Sequence, residues 1–291
     1  MNILVSGLLN TETTAPVREF PVPYYPIDYP FFGVETRVSG VAFNIAKALT
    51  TLGDQVRLLS MTGQDFPAAY IRSELERLSI DTRHIHPSLQ QTPNSVVLYG
   101  PNGQRQIYCD LKDIQETPYP FEEEQLDGID LVAACNINFN RPLLAMAKAA
   151  GKRIATDVHV LTQVEDDYNR DFLEAADILF LSDEAIGWDF ADFLWQLARR
   201  YPCSIIVLGR GSQGAAMYLR EQDRIIEMPA QTVGPVVNTV GAGDALFSGF
   251  LHFYTKGYCP EEALFLAQRF AAHKITANGG AEGFVTEDML E

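Results

Sequence analysis

The 291-residue sequence has only four cysteines, Cys109, Cys135, Cys203 and Cys259, far apart and with no C-x-x-C pair. That speaks against a disulfide framework or a thiolate metal cluster and leaves free thiols in a reducing compartment as the expectation. Basic residues are scarce: 22 Lys and Arg against 38 Asp and Glu give a formal net charge of −16. Nucleic acid, which is bound through basic patches, is not an expected partner, whereas a small anionic ligand needs only a locally positive pocket. No apolar run approaches the roughly 18 residues of a membrane span, so no membrane association is expected. The opening residues, Met1 to Gly7, lack the basic stretch and long apolar core of a secretory signal, and a cytoplasmic location is expected. Also missing are a G-x-x-x-x-G-K-[ST] phosphate loop, any H-E-x-x-H zinc motif, internal repeats and low-complexity tracts.

What is present is an ordinary globular composition, 47% hydrophobic and 21% charged, long enough for one large α/β domain. A buried first strand reads from Asn2 to Leu8, followed at its carboxyl end by Asn10-Thr-Glu12. Ser39 to Gly53 reads as a helix opened by Gly40 and closed by a glycine cap, with Asn44 in its first turns. Strands at Val56–Ser60, Leu131–Cys135, Arg153–Val158, Ile178–Leu181 and Ser204–Leu208 alternate with helices near Pro67–Leu78, Pro142–Ala150, Asp171–Ala176 and Phe190–Arg199. Such alternation specifies a doubly wound, mostly parallel sheet between helical layers, a three-layer α/β/α fold without a second autonomous domain.

Two stretches depart from it. Residues 15–37 interleave five prolines with Phe20, Tyr24, Tyr25, Tyr29, Phe31 and Phe32; prolines at that density exclude a helix, and so many aromatics are expected to cover a pocket or a partner. Asn94–Tyr99 and Arg105–Tyr108 are β-prone runs about a Gly100-Pro-Asn-Gly103 hairpin signal. Together, residues 12–38 and 92–111 are expected to form a small β-sheet lid over the carboxyl edge of the main sheet, with an exposed edge through which a homodimer could pair.

The most informative stretch is Asn238-Thr-Val-Gly241-Ala242-Gly243-Asp244, running directly into the apolar helical pattern Ala245 to Leu251. A glycine turn feeding a helix N-terminus offers unpaired N–H groups and the positive end of a helix dipole to an anion. A carboxylate there is best explained as a base acting on whatever attacks a bound phosphate. By contrast, Gly209-Arg-Gly211-Ser212-Gln-Gly214 fits a dinucleotide pattern but precedes two short strands about the polar turn Arg220–Arg224 rather than a helix, so it reads as a strand-to-hairpin turn. A nicotinamide-dependent oxidoreductase would rest on those glycines alone. His159, two residues after Asp157 at a strand end, could line the cleft.

The signature Asn238 to Asp244 resembles that of the ribokinase-like (PfkB) family of carbohydrate and nucleoside kinases. Gly7 with Asn10 and Glu12, the Gly40-x-x-x-Asn44 helix start, the lid segments, the Gly211–Gly214 turn and a late helix from Ala263 to Asn278 match in order over essentially the whole chain. The resemblance implies ATP-dependent phosphorylation of a hydroxymethyl group of a sugar or ribonucleoside, with Mg²⁺ bridging the phosphates. It assigns Asp244 as general base and the N–H groups of Gly241, Ala242 and Gly243 as an anion hole. Asn10, Glu12, Gly40 and Asn44 would bind substrate; Gly211, Ser212 and Gly214 would bind nucleotide, with Ala271, Ala272 and Ile275 against adenine. Three departures stand out. Asn238 replaces a frequent Asp, and Ser39-Gly40 replaces a glycine pair. The metal-linked N-x-x-E element reads Ser182-Asp183-Glu184-Ala185, leaving Glu184 or Asp183 to serve by a shift of register. That last departure is what favours the alternative of a binding or regulatory protein with weak or no kinase activity.

Overall fold

The computed structural model describes residues 1–101 and 104–290; the expected Gly100–Gly103 turn includes Asn102 and Gly103, outside those residues. The main sheet has nine strands in the order β13-β12-β11-β10-β9-β8-β1-β4-β5. Its parallel part comprises β1 (Asn2–Ser6), β4 (Gln55–Met61), β5 (Ile85–His86), β8 (Leu131–Ala134), β9 (Arg153–Val160), β10 (Ile178–Ser182) and β11 (Ile205–Gly209). Strands β12 (Ala215–Leu219) and β13 (Arg224–Met228) close one end antiparallel. This is the doubly wound arrangement that the alternation specifies, and the glycines before β12 line a turn rather than open a helix, as expected from the polar stretch that follows.

Successive side chains on the strands point to opposite faces, and the core divides accordingly. Ile3, Val5, Leu58, Ala133, Ile178 and Val207 pack on one side with α1 (Val41–Thr51), α2 (Phe66–Arg77), α6 (Ala242–Thr255) and α7 (Pro260–Lys274). Leu4, Leu59, Val132, Ile154, Leu179 and Leu208 pack on the other with α3 (Arg141–Ala149), α4 (Arg170–Ala175) and α5 (Phe190–Arg200). Helix α6 is wedged beneath the strands by Phe247 and Phe250, whose rings meet Phe180 edge-on at 5.1 and 5.4 Å. No helix among the described residues is long and apolar enough to cross a membrane.

A second, four-stranded sheet has the order β3-β2-β6-β7, built from β2 (Asn10–Pro16), β3 (Glu35–Ser39), β6 (Asn94–Tyr99) and β7 (Arg105–Asp110). Two antiparallel pairs, β2–β3 and β6–β7, are joined by a parallel β2–β6 pairing. Strand β2 leaves the carboxyl end of β1 after three residues, so the small sheet is rooted where β1, β4 and β8 meet. The sheet grows from β1 to β4 and β5 on one side and then from β8 onward on the other, so the strand order reverses there, which makes it the switch point at which open α/β sheets bind ligands.

Candidate active site

The site is assembled from three chain segments that converge on the carboxyl end of β1. Helix α1 starts against the β1–β2 connection: the Ala42 N–H donates to Leu8 O at 3.2 Å, and a Cβ on Gly40 (φ +108°) would lie 2.4 Å from the same oxygen. That close approach requires glycine and carries Asn44 into the crevice. On β2, Asn10 is buried and donates through Nδ2 to Ser95 Oγ at 3.0 Å. Glu12 lies two residues further along the same face and accepts from Ser39 Oγ at 3.4 Å; burial raises its pKa against the opposing pull of Ser39, Arg105, Arg37 and Lys274.

The third segment is the turn before α6. Gly241, in the left-handed region at φ +79°, is the N-cap residue of the fourteen-residue helix, whose first N–H groups lie outside the intrahelical ladder; of these, the Ala242 N–H donates to Thr239 O at 3.1 Å. Asp244 sits in that first turn and accepts from Asn44 Nδ2 at 2.7 Å. Solvent still reaches the carboxylate, yet desolvation by the surrounding protein pushes its pKa up to about 6, against the lowering effects of Asn44, His159 and Lys274. Asp157, within β9, adds to the rise, its Oδ2 3.9 Å from the Cβ position of Gly243. His159 has a left-handed backbone (φ +62°) and donates its N–H to Asp157 Oδ1 at 2.8 Å.

Asn44 and Asp244 are thus in direct contact, and Lys274 acts electrostatically on both Glu12 and Asp244, which draws the three segments together. The Gly211–Gln213 turn follows β11 on the side of α6: a Cβ placed on Gly209, just before, would lie 3.9 Å from Leu246 of α6. Ser212 is exposed, and Arg210 stacks its guanidinium 3.7 Å over Phe190 while pairing with Glu227 at 2.6 Å. Ala271 and Ala272 lie in the last turns of α7, and Ile275 O accepts the N–H groups of Val237 and Asn238 at 2.8 and 3.1 Å. Glu184 is exposed beyond β10, with its N–H facing Ser182 Oγ at 3.4 Å, and Asp183 Oδ2 lies 3.9 Å from Arg210 Nε. Among the described residues no three acidic, histidine or cysteine side chains converge as a metal cage.

The fold and the helix-terminal carboxylate are joined by a match to the family model of pfkB family carbohydrate kinases over residues 2–287. The chain belongs to the pfkB family. This kinase is a phosphotransferase acting on an alcohol group. Among its relatives, a nucleoside kinase of Methanocaldococcus jannaschii is 25% identical over 288 residues, covering 94% of this chain and 90% of that protein. An acarbose 7(IV)-phosphotransferase of an Actinoplanes species is 25% identical over 293 residues, covering 99% and 97%. A structure of Arabidopsis thaliana ribokinase complexed with ribose and ATP superposes with a TM-score of 0.84 at 18% identity, covering 99% of this chain and 96% of that one. The pfkB kinase described here therefore has the ribokinase-like fold. Asp157 and Lys274 were not singled out as site residues from the sequence alone; the first is signalled only by its neighbour His159, and the second by nothing in its surroundings.

Proposed function

We propose that the protein transfers the γ-phosphoryl group of ATP to a hydroxymethyl group of a sugar or ribonucleoside. Asp244 is the general base, and the N–H groups of Gly241 and Gly243, joined by that of Ala242 when it turns from Thr239 O to the ligand, form the anion hole. The observation that carries this reading is the Asn44–Asp244 contact together with two unpartnered acceptors beside it: Asn10 Oδ1 and Asn44 Oδ1 are buried without a hydrogen-bond partner. An unsatisfied buried acceptor costs about 1–3 kcal/mol, so both amides are poised for a ligand that supplies donors, as the hydroxyls of a polyol do.

In the reaction, the acceptor oxygen forms a bond to the γ-phosphorus while its proton passes to Asp244, and the bond to the β–γ bridging oxygen breaks to release ADP. Asn10, Glu12, Gly40 and Asn44 hold the acceptor; Gly211, Ser212 and Gly214 hold the nucleotide, with Ala271, Ala272 and Ile275 along the adenine. Preorganised N–H donors at α6 meet the charge that grows on the transferred group. The donor set fits Mg²⁺ carried on the nucleotide phosphates with one or two protein carboxylates nearby, Glu184 or Asp183 at β10 and Asp157 at β9, rather than a closed protein cage. When bound, Mg²⁺ neutralises phosphate charge.

Relatives of equal identity are named for nucleosides and for acarbose, so the acceptor is best identified by ADP release across a panel of ribonucleosides, hexoses and larger glycosides. One strong acceptor is the expected result. Measurable ligand binding with no ADP release from any of them would instead establish the second reading, a binding or regulatory protein, which the alanine at position 185 favours. The reading includes a homodimer paired through the small sheet, whose edge strand β7 is exposed along its whole length. Light scattering should return twice the mass of one chain, and a monomer at micromolar concentration would reject the pairing.

A further inference from the structure

Lys274, in the last turn of α7, has no solvent-accessible surface. An ammonium is strongly hydrated, and burying one without a carboxylate partner burdens a fold. Among the described residues its Nζ makes one hydrogen bond, to Asn238 O at 3.2 Å, and burial lowers its pKa to about 8. A buried charge that burdens the fold calls for an explanation in function.

Its single partner supplies one. Asn238 opens the turn that leads into α6, and the contacts that hold this turn from outside come from the C-terminal end of α7 and the loop after it. Ile275 O receives the N–H groups of Val237 and Asn238. Asn238 Nδ2 donates to Asn278 Oδ1 at 2.9 Å, while Asn238 Oδ1 accepts the Val240 N–H at 2.8 Å. Gly280 O lies directly against Gly241. The small sheet reaches the same loop, since Arg37 Nη1 donates to Asn278 O at 3.0 Å. Lys274 is the charged member of this brace that faces inward.

We propose that Lys274 is a positioning residue for phosphoryl transfer: its ammonium clamps the Asn238 carbonyl, fixes the course of the turn from Asn238 to Gly243, and sets a positive charge behind the N–H groups of α6. The proposal rests on that turn being the anion hole. The charged groups facing Lys274 are Asp244 on α6, Glu12 on β2, Arg105 on β7 and Glu282 in the C-terminal segment. The carboxylates favour the protonated form and Arg105 opposes it, so the clamp is in place at neutral pH and is released as the pH rises past about 8.

The test is Lys274→Met, which keeps the length of the side chain and removes its charge. The expected result is a kcat about 50-fold lower, somewhat less than the loss of one direct anion-hole donor, with the KM for ATP little changed. The melting temperature is expected to stay level or rise, because an uncompensated buried charge has been removed. The wild-type kcat should fall on an alkaline limb centred near pH 8, and that limb should be missing from the variant. A variant that keeps kcat within about twofold overturns the proposal, and so does a wild-type rate that is flat up to about pH 9. A variant that loses activity only in step with its folded fraction also overturns it, since the residue would then be structural. Should the variant not fold, the wild-type pH profile alone decides. If Asp244→Asn is inactive while Lys274→Met turns over normally, only the role of Lys274 is rejected; wild type with no transfer to any acceptor rejects the underlying kinase reading.

Discussion

Asp244→Asn is expected to lower kcat by about 10³-fold, the middle of the range for a general base, with acceptor affinity retained. The substitution keeps the volume of the side chain and an oxygen that can accept from Asn44 Nδ2, which now reaches the carboxylate at 2.7 Å, so the loss would report proton transfer rather than a collapsed site. The wild-type pH profile carries the same information. A base works only when ionised, so with the Asp244 pKa pushed up to about 6 kcat should fall as the pH drops through that value, and the residual rate of the variant should lack this limb. Stability should run the opposite way. Because the folded-state pKa lies above the ordinary 3.8 of an aspartate, the group favours the fold when protonated and loses that contribution as the pH rises through about 6. At pH 7 the variant should therefore melt no lower than wild type, and any advantage should shrink toward pH 4. Steady-state kinetics and thermal scans measure both; a variant that keeps more than about a tenth of the wild-type rate removes Asp244 as the base.

The portion of this site that could be read in the sequence is the portion specified locally. The stretch from Asn238 to Asp244 declares itself within seven residues, because a glycine turn, a helix start and a carboxylate in its first turn are all signalled by neighbouring residues. The main sheet was legible for a similar reason: its strands are short apolar runs between turn signals, and alternate residues such as Ile3, Leu4 and Val5 go to different helical layers. The glycines at 209–214 show how context settles a pattern that is ambiguous alone, since the polar residues from Arg220 to Arg224 leave no room for a helix. Lys274 shows the limit. In Ala271-Ala-His-Lys274 it looks like any basic residue in a last helical turn, where exposure is the norm. Its burial arises only when the loop holding Asn278 and Gly280 folds over the turn at Asn238, far away in sequence. The Arg37–Asn278 bond, 241 residues apart, and the approach of Asp157 to α6 are hidden for the same reason. Local chemistry is written in the sequence, whereas the brace around it is a product of tertiary packing.

That brace makes Gly241→Ala the most damaging single-methyl change to expect in the site. Gly241 has φ +79°, where an L side chain is strained by about 1 kcal/mol or more. A methyl group there would also lie 1.9 Å from Gly280 O, a collision with backbone that no rotamer change relieves. Either the 278–280 loop withdraws, loosening Asn278 from Asn238 and Arg37, or the first turn of α6 retreats and its N–H groups lose their aim. Both routes misplace the donors that we assign to the transferred phosphoryl, so kcat should drop by about 10²–10³-fold, as when one oxyanion-hole donor is removed. Gly257→Ala is the matched control. It is also left-handed, at φ +97°, but nothing lies within 4 Å of its Cβ position, so it should cost about 1 kcal/mol of stability and leave kcat near wild type. Comparing the two separates backbone strain from collision at the helix start. If Gly241→Ala turns over within about tenfold of wild type while remaining folded, the N–H groups of this turn are not the anion hole, and the charge on the transferred group must be met elsewhere in the crevice.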